Sequence, residues 1–269
     1  MYKEDWRVSA PENPDMPIWR YIDFAKFVDM LDRGALHFSN MNALGDPFEG
    51  LPSEGTIEEH RERSRQAREE AIASGVVDSD FQWPPDDPWS NYQVFRALTY
   101  VTCWHLNEYE SMAMWRLYSR DGIAITSTFS KLIASLQVVP EQVFAGQVVY
   151  RDRRDRSHVE YPGDAITVGF RKGMSYDHER EIRASFLRDT SPVEDVSPVR
   201  AIADVGEFER TQEKGVKIER IDLDLLIDAV YVAPGRPPWF GELVQRVMRT
   251  YELDKPLEIS DLDERPDLT

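Results

Sequence analysis

The chain has 269 residues, of which 41% are hydrophobic and 11% aromatic, enough apolar material to bury a substantial core and to exclude a disordered chain. Its 49 acids against 32 bases give a formal charge of -17, which repels phosphate backbones at long range and excludes bulk nucleic-acid coating, while leaving room for a local basic groove. Cys103 is the one cysteine and has no internal disulfide partner. No apolar run approaches the ~20 residues of a membrane span, and the start lacks a secretory signal pattern, so the expectation is a cytoplasmic protein with no membrane partner.

After a polar leader containing Pro11, Pro14 and Pro17, residues Phe24, Phe27, Val28 and Leu31 recur at helical spacing over Asp23 to Arg33, and Gly34 supplies the stop. A strand is expected over Ala35 to Ser39. An ordered loop follows over Asn40 to Gly50, where Gly45, Asp46, Pro47 and Gly50 carry turn chemistry. Ser53 to Ser74 is helical in propensity but strongly charged, and Val77 to Asn91 is rich in Pro, Asp and Trp. Residues 51 to 92 therefore read as an insertion or lid within a single domain. Strands are expected at Leu98 to Trp104, Gly122 to Ser127 and Gln142 to Tyr150, with helices at Glu110 to Tyr118 and Ser130 to Leu136. Asp164 to Gly173 has helical character, and Arg180 to Leu187 has the mixed alternation of a strand. Two more strands, Lys217 to Ile221 and Ala229 to Val232, precede an amphipathic helix over Trp239 to Tyr251. Strands and helices intermingle without a βαβ repeat, which makes the fold class α+β, with a mixed or antiparallel central sheet and surrounding helices.

Three blocks concentrate acids and aromatics. In the first, Arg20 to Glu49, the loop LGDPFEG carries Asp46 and Glu49, which read either as caps of backbone amides or as a polar wall of a ligand pocket. In the second, Trp104, Trp115 and Tyr118 surround His105, Glu108, Glu110 and Ser111. A helix starting near Glu110 puts Ser111, Trp115 and Tyr118 on one face, as core or as pocket lining. The third, KGMSYDHEREIRASF, contains Tyr176 and sets Glu179 and Glu181 two residues apart. On a strand that spacing puts both carboxylates on one face, either at a solvated edge or in a shared site.

No glycine-rich phosphate loop, HExxH helix, GxSxG elbow or CxxC pair occurs. Cys103 and His105 share a strand face, but a cysteine beside tryptophan reads as a small buried hydrophobe. His37, His60 and His158 show no ligand spacing and no metal is expected; the alternative is a Mg²⁺ cradle of Asp46, Glu49, Glu110 and Glu179 in a hydrolase or nuclease. The bases Arg151, Arg153, Arg154 and Arg156 form the one dense basic cluster and read as a solvated turn after a strand.

The order of these blocks, and LGDPFEG and ESMAMWRLY in particular, resembles the bacterial and archaeal domain-of-unknown-function family 2971. The resemblance covers Trp19 to Gly50, Val101 to Ile125, Tyr150, Lys172 to Arg183, and the tail from Lys217 through YVAP to Ser260. That family implies no firm activity. The chain is also similar to ADP-ribosyltransferases of the arginine, serine, glutamate type. That similarity implies Arg20 as the grip on NAD, Ser127 within TST (Thr126 to Thr128) as a brace, and Glu179 with the catalytic Glu181 as the ExE pair. It further implies NAD as co-substrate, Trp104 or Tyr118 stacking on the nicotinamide, and an unknown macromolecular acceptor, as in a toxin or phage-defence effector. A non-catalytic module binding a ligand or partner is the remaining alternative.

Overall fold

Alternation along PIWRYI sends Ile18 to one side and Trp19 and Tyr21 to the other, and this segment is strand β1 (Pro17–Ile22). The computed structural model describes residues 1–77, 89–120, 122–157, 165–188 and 205–263. In it β1 leads into helix α1 (Phe24–Arg33), capped by the Asp23 carboxylate, which accepts from Lys26 N at 2.9 Å. Gly34 ends that helix in the left-handed conformation, and Phe27, Met30 and Leu31 form its buried face. The chain continues through β2 (Ala35–Asn40), α2 (Glu54–Ala73), α3 (Trp89–Leu98), β3 (Thr99–Leu106), α4 (Met112–Tyr118), β4 (Ile123–Thr128) and α5 (Phe129–Ser135). Then come β5 (Phe144–Gln147), β6 (Val149–Arg151), β7 (Arg171–Gly173), β8 (Glu181–Leu187), α6 (Val205–Thr211) and β9 (Gly215–Glu219). The last elements are α7 (Leu223–Leu226), β10 (Ala229–Val232), α8 (Pro238–Thr250) and β11 (Leu257–Ile259).

Nine strands make one sheet in the order β11-β10-β4-β1-β3-β2-β9, with β8 on β3 and β5 on β8. Only its β10–β11 pair is parallel, so the class is α+β with a mixed, largely antiparallel sheet. Strands β6 and β7 form a separate parallel pair. The main core lies between one sheet face and the helices: Ile18, Tyr100, Trp104, Ile125 and Ile182 meet Phe27, Leu132, Phe240, Val244 and Met248. Each such side chain contributes roughly 1.5–3 kcal/mol on burial. Among the described residues, no helix is long and apolar enough to cross a membrane.

One irregularity positions the site. Strands β1 and β2 share a single edge of β3: β1 pairs it at Ile18–Leu106 and Trp19–His105, β2 at Ser39–Val101 and Asn40–Tyr100. The opposite edge of β3 is paired with β8 from Thr99–Leu187 to His105–Glu181. Along Thr102 to Trp104, therefore, neither β1 nor β2 pairs with β3, and the sheet is split.

Three expectations change. The strand over Gln142 to Tyr150 is broken at Val148, because β6 leaves β5 to pair with β7. Asp164 lies outside the described residues, but the rest of that segment is not an α-helix. It forms a 3₁₀ turn, Thr167–Phe170, followed by β7; Gly169 lies so close to β8 that an added Cβ would be 2.5 Å from Ser185 Oγ. Of the expected insertion, 78–88 lie outside the described residues. Within the described part, helix α2 buries its first turn, Gly55 to Ile57, and Tyr92, at the far bound of the expected insertion, is core within α3.

Candidate functional site

A cavity of about 530 Å³ occupies the split, within the size range of small-molecule sites. It is lined from both faces of the sheet. Arg20, Thr102 and Trp104 reach it from the side of the main core, whereas His105, Glu181 and Arg183 reach it from the other. Asp46 and Glu49 of the LGDPFEG loop, Tyr118 at the end of α4, and Lys172, Tyr176 and Glu179 complete its polar wall.

The acidic end is a buried ion network. Lys172 Nζ lies 2.5 Å from Glu179 Oε2 and 2.8 Å from Glu181 Oε1. Arg183, fully buried, donates from Nε to Glu181 Oε2 at 2.5 Å, from Nη2 to Glu49, and from Nη1 to Gly169 O at 3.0 Å. The backbone makes this possible at Gly50, whose φ of 75° suits glycine. A Cβ there would stand 2.8 Å from Val168 O. The expectation that Glu179 and Glu181 share a strand face is corrected. Glu179 ends a 3₁₀ turn, Arg180 is left-handed at φ 43°, and Glu181 opens β8; that reversal brings the carboxylates together.

The two acids are driven apart in proton affinity. Burial and a hydrogen bond to Glu181 push Glu179 up to about 7, against the pull of Lys172. Burial opposes ionisation of Glu181 too, but Arg183, Glu179 and Lys172 outweigh it and hold Glu181 well below the usual carboxylate range. Burial also works against the Lys172 charge, and Glu181 and Glu49 more than restore it. Environments that separate a carboxyl pair in this way are those that assign one acid to ionic duty and the other to proton transfer. His105 sits beside them. Its Nδ1 is 2.5 Å from Glu179 O, and a carbonyl only accepts, so Nδ1 carries the proton; burial lowers the ring's pKa and keeps it neutral.

The opposite end is cationic and under-satisfied. Arg20 Nη2 crosses the split to His37 O at 3.0 Å, and the guanidinium lies 5.7 Å from the Trp104 ring centroid. Burial brings Arg20 down to about 10, so it stays charged at neutral pH. Among the described residues no carboxylate pairs with it. Its Nη1, Trp104 Nε1 and Thr102 Oγ1 are all buried without a hydrogen-bond partner. Two of these three atoms can only donate, so the split presents donors that an acceptor oxygen would satisfy.

Arg20, Trp104, Asp46, Glu49, Tyr118, Tyr176, Glu179 and Glu181 are thus brought together. Ser127 is not: it lies opposite Ile18, where β1 is held between β4 and β3 and the sheet is closed, and its hydroxyl bonds only to Thr128 O. Trp115, Glu110 and Ser111 are corrected to structural roles. Trp115 is core with Trp19, Tyr21 and Met114, and its Nε1 donates to Glu110 Oε2 at 2.8 Å. Glu110 also takes Ser260 Oγ and Asp261 N, each at 2.7 Å, fastening the C-terminal segment. Ser111 caps α4. With Glu110 so engaged, the four-acid metal cradle does not assemble, and among the described residues no group of three His, Cys, Asp or Glu is arranged around a metal position. Asp46 keeps its cap as well, accepting from Phe48 N at 2.9 Å. The Trp104 ring lies under Arg20 and in the core, whereas the Tyr118 ring is half-exposed.

Lys172, Arg183, His105 and His37 line the cavity, although the sequence assigned none of them a role in the site. The available signal was the run KGMSYDHEREIR, in which three bases and three acids bracket a strand start. Cys103 also lines it, but burial pushes its thiol up to about 12 and removes the thiolate. His158 lies outside the described residues. In comparisons with protein-family models, curated proteins and solved structures, no match to the chain was found.

Proposed function

We propose that the chain is a cytoplasmic enzyme that cleaves the N-glycosidic bond of a nucleotide, with NAD as co-substrate, as an ADP-ribosyltransferase or NAD glycohydrolase. The observation that carries the reading is the pairing, in one 530 Å³ cavity, of an Arg20 cation that has no counter-ion among the described residues with the Glu179–Glu181 acid pair. A dinucleotide matches both ends. Its pyrophosphate oxygens satisfy Arg20 Nη1, Trp104 Nε1 and Thr102 Oγ1, and its nicotinamide ribose faces the carboxylates.

The chemistry follows. The bond from ribosyl C1′ to the nicotinamide nitrogen breaks, its electron pair leaves with nicotinamide as a neutral pyridine, and positive charge develops on the ribose. Ionised Glu181, fixed by Arg183 and Lys172, stabilises that charge without reorganising. Glu179 takes the proton from the attacking hydroxyl of water or an acceptor as the new C1′–O bond forms.

Incubation with NAD labelled in the nicotinamide ring tests this. Release of free nicotinamide is expected, with a loss of about a hundredfold in Glu181→Gln; equal rates in the two proteins overturn it. Both Glu181 oxygens already hold cations. That observation favours a second reading, a pocket that binds nucleotide without turning it over, for which binding persists and nicotinamide release is nil.

A further inference from the structure

A second cavity, of about 660 Å³, adjoins the first and shares Asp46, Lys172 and Tyr176 with it as a common wall. Its lining carries five cations, Arg151, Arg153, Arg154, Arg171 and Lys172, against two carboxylates, Asp46 and Asp152. In a chain of formal charge -17 this is a reversal of local sign. Both carboxylates are occupied by backbone amides: Asp152 accepts from Arg154 N at 2.9 Å, Asp46 from Phe48 N. Lys172 is neutralised by Glu179 and Glu181. Arg151, Arg153 and Arg154 are different. Among the described residues, no carboxylate lies within 4 Å of their guanidinium groups, in contrast to Arg156, which reaches Glu54 and Glu58.

The backbone that carries these three arginines is fixed. The turn that carries them follows β6 and lends its carbonyls to the start of α2: Glu54 N donates to Arg153 O at 2.9 Å and Gly55 N to Asp155 O at 3.3 Å. The Arg153 guanidinium stacks 4.2 Å from the ring centroid of Phe48, a phenylalanine that is 49% exposed at the cavity. Tyr176 supplies a second ring on the shared wall. Unpaired guanidinium groups interleaved with accessible aromatic faces form the combination that grips a single strand, phosphates on the bases and nucleobases on the rings. A concave cavity of this volume admits an unstacked nucleotide and excludes a duplex, whose bases are sequestered.

We propose that this cavity binds single-stranded nucleic acid, as the acceptor site for the reaction read into the neighbouring cavity. The acceptor identity rests on that reading; the binding itself does not. The three arginines hold backbone phosphates, Phe48 with Arg153 stacks a base, and an acceptor hydroxyl of the strand reaches the ribose where the two cavities meet at Asp46, Lys172 and Tyr176.

The test is fluorescence anisotropy with a labelled single-stranded oligonucleotide, without NAD, over a series of salt concentrations. The wild type is expected to bind with a log–log salt slope of about -2, the value for three phosphates on a single strand. In Arg151→Gln/Arg153→Gln/Arg154→Gln the slope should collapse and affinity fall by at least about tenfold. The melting temperature should move little, because no ion pair is lost and the one described contact removed is that of Arg153 with Phe48. Unlabelled single strand should compete, and the same sequence as a duplex should not. Absence of wild-type binding at low salt, an unchanged slope in the variant, equal competition by duplex, or displacement by millimolar inorganic phosphate or by an acidic phosphopeptide would each overturn the proposal. Because NAD is absent, a failed nicotinamide-release assay leaves this result standing, and the reverse also holds.

Discussion

Glu179 and Glu181 present their carboxylates to one ammonium group although they belong to different elements, the first closing a 3₁₀ turn and the second opening β8. The left-handed Arg180 between them produces the convergence. Burial and the hydrogen bond to Glu181 raise Glu179, while Arg183, Glu179 and Lys172 hold Glu181 low, so the pair separates into a proton-holding member and an ionised member. The consequences are measurable.

Arg183 holds Glu49, Glu181 and the Gly169 carbonyl at zero exposure. Arg183→Met should therefore destabilise the protein by about 3–5 kcal/mol, because it leaves buried carboxylates without their cation. Chemical denaturation read by tryptophan fluorescence measures it.

Arg20 should behave in the opposite way. It is a buried cation with no carboxylate partner among the described residues and an orphan Nη1, so Arg20→Met should leave the melting temperature unchanged or raise it. The same variant should weaken nucleotide binding about tenfold to a hundredfold, the worth of a charged hydrogen bond. Calorimetric titration with ADP-ribose alongside thermal unfolding reads both effects.

The pH dependence has a defined sign. Glu179 is raised from 4.5 to about 7 in the fold, so its contribution to stability is complete below 4.5 and fades as pH climbs through about 7. Glu181, held low, contributes in the other direction, with stability present above 4.5 and lost only in strong acid. Turnover that uses Glu179 as the base should rise through an apparent pKa near 7, and Glu179→Gln should flatten that limb.

Gly50→Ala should cost about 1–3 kcal/mol, since it forces a Cβ against Val168 O at a backbone angle that favours glycine. Glu110→Ala should cost a comparable amount, about 1–3 kcal/mol, by orphaning Trp115 Nε1 and Asp261 N. Glu110 lies outside the cavity, so nicotinamide release per folded molecule should be unaltered in that variant. Equal losses of activity and fold in both proteins would contradict the structural role assigned to Glu110.

What the sequence disclosed was local. The cap Asp23, the spacing of Phe27 and Leu31 and the stop at Gly34 define α1 without reference to the rest of the chain, and Ala229–Val232 emerges as a strand with the expected bounds. The meeting of Arg20, Glu49, Tyr118 and Glu181 at one cavity was also readable, because charges and aromatics are dense there. The split in the sheet was not. It arises from the registers of β1 and β2 on β3, partners up to 88 residues apart (Ile18 and Leu106), and no local pattern encodes it. Ser127 was misplaced for the same reason, since its triplet is legible but its position beside closed sheet is not. The arginine turn after β6 was read as solvated, and only the packing of Phe48 and the start of α2 against it makes it one wall of a cavity.

The most direct measurement is a crystal structure with ADP-ribose bound. The pyrophosphate is predicted to lie within hydrogen-bond distance of Arg20 Nη1 and Trp104 Nε1, with ribosyl C1′ facing Glu181. A ligand bound elsewhere, or one seated in the split with its ribose turned away from Glu179 and Glu181, would contradict the account.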